Sequence, residues 1–102
     1  MFVENKQQIF DRISDNRAAI GALGVHRVGL FGSFIKSQQN VESDVDLIVE
    51  FRPGEKSFDN FMKLSFLLED IFGRKVDLLT RESLSPYIGP KILAEVEYGV
   101  ID

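Results

Sequence analysis

The stretch Ser43-Asp44-Val45-Asp46-Leu47-Ile48-Val49-Glu50-Phe51 constrains the fold more than any other part of the chain. Val45, Leu47, Val49 and Phe51 fall on one face of an extended backbone, and Asp44, Asp46, Ile48 and Glu50 fall on the other. The segment therefore reads as a strand from Val45 to Phe51, ended by Arg52-Pro53-Gly54. One of its faces is apolar throughout, and the other opens on two carboxylates.

Turn residues divide the rest of the chain into alternating helical and extended segments. Ile9, Phe10, Ile13, Ala18 and Ile20 predict an amphipathic helix from about Val3 to Ala22, stopped by Gly21 and Gly24. Val25 to Phe31 is rich in β-formers and ends at Gly32-Ser33, after which Phe34 to Ser37 forms a short helical stretch. Ser57 is placed to cap a helix running to Phe72, with Phe58, Phe61, Met62, Phe66, Leu68 and Ile71 as its apolar stripe and Gly73 as its stop. Val76 to Thr80 is a third strand. Pro86 and Pro90 open helical turns, and Lys91 to Tyr98 is a last helix. This alternation predicts an α/β (α+β) domain with a small mixed sheet flanked by helices. The sheet is expected to be mixed because the link from Phe31 to Val45 is too short for an ordinary crossover with a full helix.

A chain of 102 residues, 44% hydrophobic and 27% charged, fits one soluble domain over residues 1–102. A domain of this size buries roughly 65% of the surface its unfolded chain exposes, which leaves little protein to grip a second substrate. Twelve basic residues against sixteen acidic ones give a net charge of −4. The cations cluster no further than pairs such as Arg74-Lys75, so direct nucleic-acid binding is not expected. The absence of cysteine excludes a disulfide framework and a thiolate metal site. No apolar run approaches the roughly 18 residues of a membrane span. The N-terminus is polar after Phe2, unlike a signal peptide, so the expected location is the cytoplasm without membrane attachment.

Asp44 and Asp46 are the most informative pair. On a strand their Cα atoms lie about 6.6 Å apart, from about 3.3 Å of rise per residue, and their side chains leave the same face. At about 4 to 6 Å two carboxylates repel by a few kcal/mol at an effective dielectric near 20. A hard divalent cation offsets that repulsion, and carboxylates sharing two such ions support in-line phosphoryl or nucleotidyl displacement. The alternative is two aspartates that stay in water at a strand mouth. Gly32-Ser33 follows a strand and opens a helical turn, which predicts unpaired N–H groups and a hydroxyl where a phosphate could sit, with Lys36 able to face a phosphate oxygen from the same turn. A plain turn and a solvated lysine are the alternatives. Asp77 interrupts the apolar run Val76 to Leu79, where a charge must be solvated, bound to metal or paired, here with Arg74 or Lys75. His26, the only histidine, reads as surface or packing, and the nine phenylalanines read mainly as core. The chain contains neither a Walker A loop nor a G-x-S-x-G elbow.

Gly32-Ser33, ten intervening residues and Asp44-Val45-Asp46, with Asp77 on a later strand, resemble the minimal nucleotidyltransferases of the DNA polymerase β superfamily. The likeness extends through Leu30 to Phe34, Ser43 to Phe51, Gly73 to Thr80 and Leu84 to Tyr87. It is strongest to the antitoxin members, known as MNT or MntA-like, that are encoded beside a HEPN-domain toxin. The resemblance implies that Asp44 and Asp46 hold two Mg²⁺ ions, that Gly32 and Ser33, with Lys36, bind the triphosphate of ATP, and that Asp77 completes the carboxylate triad and favours deprotonation of the acceptor hydroxyl. It further implies transfer of AMP to a tyrosine of the HEPN RNase toxin, which blocks the toxin and forms a hetero-oligomer with it. Two other readings stand beside it: a non-catalytic antitoxin that covers its partner's active site, and nucleotidyl transfer to a small molecule such as an aminoglycoside. Relatives with the last activity carry an extra helical domain. Many members have Ala-Arg-Gly where this chain has Ile35-Lys36-Ser37; lysine keeps the charge there but not the bidentate fork.

Overall fold

The structure is a computed structural model and describes residues 2–101. Its first helix, α1 (Lys6–Asp15), is capped by Asn5, whose side chain accepts a hydrogen bond from the Gln8 N–H at 2.9 Å. The single helix expected from Val3 to Ala22 is in fact two. At Asn16 the backbone leaves helical geometry (φ −113°, ψ 18°) and the side-chain amide donates to the Arg12 carbonyl at 2.7 Å. Short amide side chains offer the backbone this kind of local alternative. Helix α2 (Arg17–Gly21) follows, while Val3 lies outside the helix and is buried, its N–H on the Phe72 carbonyl at 2.8 Å.

Four strands make the sheet: β1 (Val25–Phe31), β2 (Val45–Phe51), β3 (Val76–Thr80) and β4 (Glu97–Val100), in the order β3-β2-β1-β4. β1 pairs antiparallel with β2, as the short link between them requires, while β2 and β3 run parallel. The crossover between the parallel strands is α3 (Phe58–Phe72), capped by Ser57 and ended by Gly73 in the left-handed conformation. Among the described residues no helix is long and apolar enough to cross a membrane.

The last helix, α4 (Gly89–Glu95), stops short of the expected Lys91–Tyr98 span. Val96 turns extended, and Glu97 to Val100 become β4, antiparallel along the free edge of β1. The reason is tertiary. The edge of β1 offers unpaired backbone groups, and Tyr98 opposite Gly29 lays its ring under the Arg27 guanidinium at 3.7 Å. Arg27 in turn pairs with Glu50 at 3.0 Å.

Each face of the sheet has its own core. Val28, Leu30, Leu47 and Val49 pack against Ile9, Ile13 and Ile20 on one side and Leu64, Leu68 and Phe72 on the other. The opposite face carries Phe31 and Ile48, covered by Ile92 of α4 and by Val96. The phenylalanines divide unevenly: Phe31, Phe34 and Phe72 are buried, but Phe58 and Phe66, read as part of the apolar stripe of α3, point to solvent. Arg74 closes the molecule at one end. Its guanidinium donates to the carbonyls of Val3 (2.6 Å), Asn40 (2.9 Å) and Ser43 (2.9 Å), and so pins the loop that leads into β2.

Gly29 sets how close α4 and β4 come to the sheet, because a Cβ there would run into the Val96 side chain. Gly29→Ala should lower stability by about 1–3 kcal/mol, the usual range for overpacking. Urea titration should show an earlier midpoint with an unchanged slope.

Candidate active site

Strand register assembles the site. Phe31, the last residue of β1, lies opposite Asp46, and Asp46 lies beside Asp77 of β3. Asp44 stands one residue ahead of β2 and is exposed, Asp46 is half-buried, and Asp77 is exposed. Three neighbouring strands thus bring Asp44, Asp46 and Asp77 to one rim of the sheet, next to the Gly32-Ser33 turn. Of the fates open to Asp77, pairing with Arg74 is not taken, since that guanidinium is committed to backbone carbonyls.

Burial pushes the Asp46 carboxyl up to about 6, and the charges of Asp77, Asp44 and Glu95 add to the effect. A hydrogen bond from the Ser33 N–H opposes it. Gly32 has φ 76°, and a Cβ on it would collide with the Asp46 carboxylate, so both the backbone angle and the space demand glycine.

The turn itself differs from the expectation of unpaired N–H groups. Gly32 to Phe34 form one 3-10 turn, and the N–H groups of Ile35 and Lys36 both return to the Gly32 carbonyl at 3.1 Å. The Gly32 N–H donates to Glu95 Oε1 at 3.2 Å, and the Ser33 N–H is taken by Asp46. Lys36 Nζ lies 3.4 Å from Glu95 Oε2. The seat inferred for a phosphate is therefore filled by two of the chain's own carboxylates. Glu95 is the residue that sequence reasoning missed. It lies far from the motif along the chain and carries no spacing signal; only the end of α4 at Glu95 brings it here. Ser37, where many relatives of this pattern have glycine, adopts φ 56°, the left-handed conformation that glycine favours.

The donor set suits a hard divalent cation: carboxylate oxygens only, one of them half-buried with its charge uncompensated. Among the described residues, however, no three His, Cys, Asp or Glu side chains converge on a point that could hold a metal ion. The carboxylates share a rim without forming a closed cage. A cleft of about 370 Å³ lined by Lys56, Ser57, Phe58, Phe61 and Thr80 lies at the far end of β3 from these carboxylates.

Residues 8–98 match the family described as Nucleotidyltransferase domain. The chain belongs to that family and is a nucleotidyltransferase. Over 72 residues it is 40% identical to MJ0435 of Methanocaldococcus jannaschii, provisionally named a protein adenylyltransferase, covering 71% of this chain and 76% of that protein. It is 37% identical over 75 residues to the protein adenylyltransferase MntA of Thermococcus cleftensis, covering 74% and 75%. Among solved structures, one provisionally described as a minimal nucleotidyltransferase superposes with a TM-score of 0.70 at 27% identity, over 86% of this chain and 93% of that one. A Shewanella oneidensis complex described as a tri-AMPylated HEPN toxin with an MNT antitoxin superposes at a TM-score of 0.55 and 19% identity, over 83% and 69%, a likeness of fold. The nucleotidyltransferase thus has the small mixed sheet and flanking helices of the minimal members.

The raised Asp46 carboxyl has a consequence for stability. Between pH about 4 and about 6 the folded chain holds a proton that the unfolded chain has released, so this group's contribution falls as pH rises through that window. Above it, the folded state carries the full penalty of the charge. In chelator-treated protein, Asp46→Asn should therefore raise stability at pH 7.5 by about 1 kcal/mol, after allowing for solvent screening of a half-exposed group. Thermal melts should show the gain vanishing by pH 4.

Proposed function

We propose that this nucleotidyltransferase transfers AMP from ATP to a tyrosine side chain of a HEPN-domain RNase toxin, and so acts as its antitoxin. The observation that carries the reading is the register that gathers Asp44, Asp46 and Asp77 beside the Gly32-Ser33 turn. Relatives named protein adenylyltransferase support protein as the acceptor, and the toxin complexes of the same fold supply the class of partner. The whole of residues 1–102 is read as one minimal nucleotidyltransferase domain.

In this reading Gly32, Ser33 and Lys36 receive the phosphates of ATP. The backbone N–H groups turn from carboxylate to phosphate oxygens, and the lysine adds a positive charge that follows the anion. Asp44 and Asp46 would hold two Mg²⁺ ions, with Asp77 completing the set. Ions held there would neutralise charge on the departing pyrophosphate and lower the pKa of the acceptor hydroxyl. The phenol oxygen forms a bond to the α-phosphorus as the bond to pyrophosphate breaks, and the phenol proton leaves toward Asp77. Asp44 and Asp77 are exposed at the rim, which suits an acceptor that arrives on another protein.

Co-expression with a candidate HEPN-domain partner tests the proposal, read by intact-mass spectrometry of that partner. Wild type should add one or more AMP units. Asp44→Asn with Asp46→Asn should lower the transfer rate by roughly 10³-fold or more, the scale on which losing electrostatic stabilisation acts. Undiminished transfer by the double variant would sink the carboxylate assignment. A partner that is bound and silenced while remaining unmodified would establish the non-catalytic inhibitor instead.

A further inference from the structure

Glu95 touches the two groups of the turn that are free to meet an anion from outside, the Gly32 N–H at 3.2 Å and Lys36 Nζ at 3.4 Å. Its carboxylate has the geometry and the sign of a phosphate oxygen pair. We propose that Glu95 is a built-in competitor for the phosphate seat: its carboxylate occupies the seat in the free protein, is displaced when the nucleotide binds, and so sets the affinity for the triphosphate. This rests on the reading of Gly32, Ser33 and Lys36 as phosphate-binding groups.

Three features make Glu95 a removable occupant rather than a permanent strut. Both contacts are long for charge-assisted bonds, and Lys36 is more than half exposed, so the pair is weakly held. The like charge of Asp46 stands close enough to interact with it and opposes its stay. Its backbone is anchored independently of these contacts, because Val96 is wedged over Gly29 and Ile92 is buried against Phe31 and Ile48. The side chain can therefore swing away without unseating α4.

Calorimetric titration with AMP-PNP, in magnesium and again in chelator, tests the proposal on wild type, Glu95→Gln, Glu95→Asp and Asp70→Asn. The last removes the same charge from the exposed side of α3. Glu95→Gln should tighten binding by about three- to tenfold, the scale of losing one partly exposed charge contact. Glu95→Asp, too short to span both groups, should give a smaller gain and Asp70→Asn none. In the transfer reaction Glu95→Gln should lower KM for ATP without raising kcat. A strut would behave oppositely, with weaker binding and a lower melting temperature. Unchanged or weaker binding by Glu95→Gln or Glu95→Asp, with wild type binding normally, overturns the proposal. If wild type itself does not take up AMP-PNP, the reading of the phosphate seat fails instead.

Discussion

The antiparallel register of β1 on β2 is the constraint on which the site depends. Because Phe31 lies opposite Asp46, the chain leaving β1 must pass directly over a carboxylate. Only glycine makes that passage, since at Gly32 both the positive φ and the approach to Asp46 exclude a side chain. The same passage aims the Ser33 N–H at Asp46. From the other side, the parallel pairing of β3 sets Asp77 next to it. One carboxylate is thus held between a single donor and a like charge, and a slip of one residue in either pairing would turn the acids to the opposite face.

Among the described residues no cation compensates that charge, although the chain has twelve lysines and arginines. Arg74 is directed to three backbone carbonyls, Arg27 to Glu50 and the ring of Tyr98, and Lys36 to Glu95. The fold keeps these arginines for structure and presents the aspartates at the rim beside one another and the Gly32-Ser33 turn. Packing on both faces of the sheet offsets the repulsion, and no polar or charged side chain among the described residues is fully buried. Such a site is destabilising for the free protein and hospitable to a cation for the same electrostatic reason.

What the sequence made legible was whatever local chemistry determines. The period-two pattern of β2, the Ser57 cap and Gly73 stop of α3, and the short link between β1 and β2 all led to the observed elements. What it concealed depends on distant partners. The break at Asn16 turns on one side-chain hydrogen bond that competes with an otherwise good helical pattern. β4 has four residues, too few for a periodicity, and exists because β1 has an edge to fill. In α3 the row Phe58 and Phe66 was as apolar as the row Leu64, Leu68 and Phe72, and only contact with the sheet selects between them. At the site, the spacing of Gly32, Ser33, Asp44 and Asp46 was visible, but the occupants of the N–H groups were not.

The departure from the commoner Ala-Arg-Gly pattern acquires a physical meaning from Glu95. An arginine presents a planar fork that one carboxylate oxygen satisfies incompletely, whereas the ammonium of Lys36 is a compact charge that a single oxygen of Glu95 can hold. The next position, Ser37, keeps the left-handed backbone of the glycine it stands for, so the turn retains its path while its cation changes character. A point charge at the end of a flexible stem follows an anion through a range of positions. On the proposed reading the same lysine faces a carboxylate in the free protein and a phosphate in the bound one, and the turn need not be rebuilt between the two states.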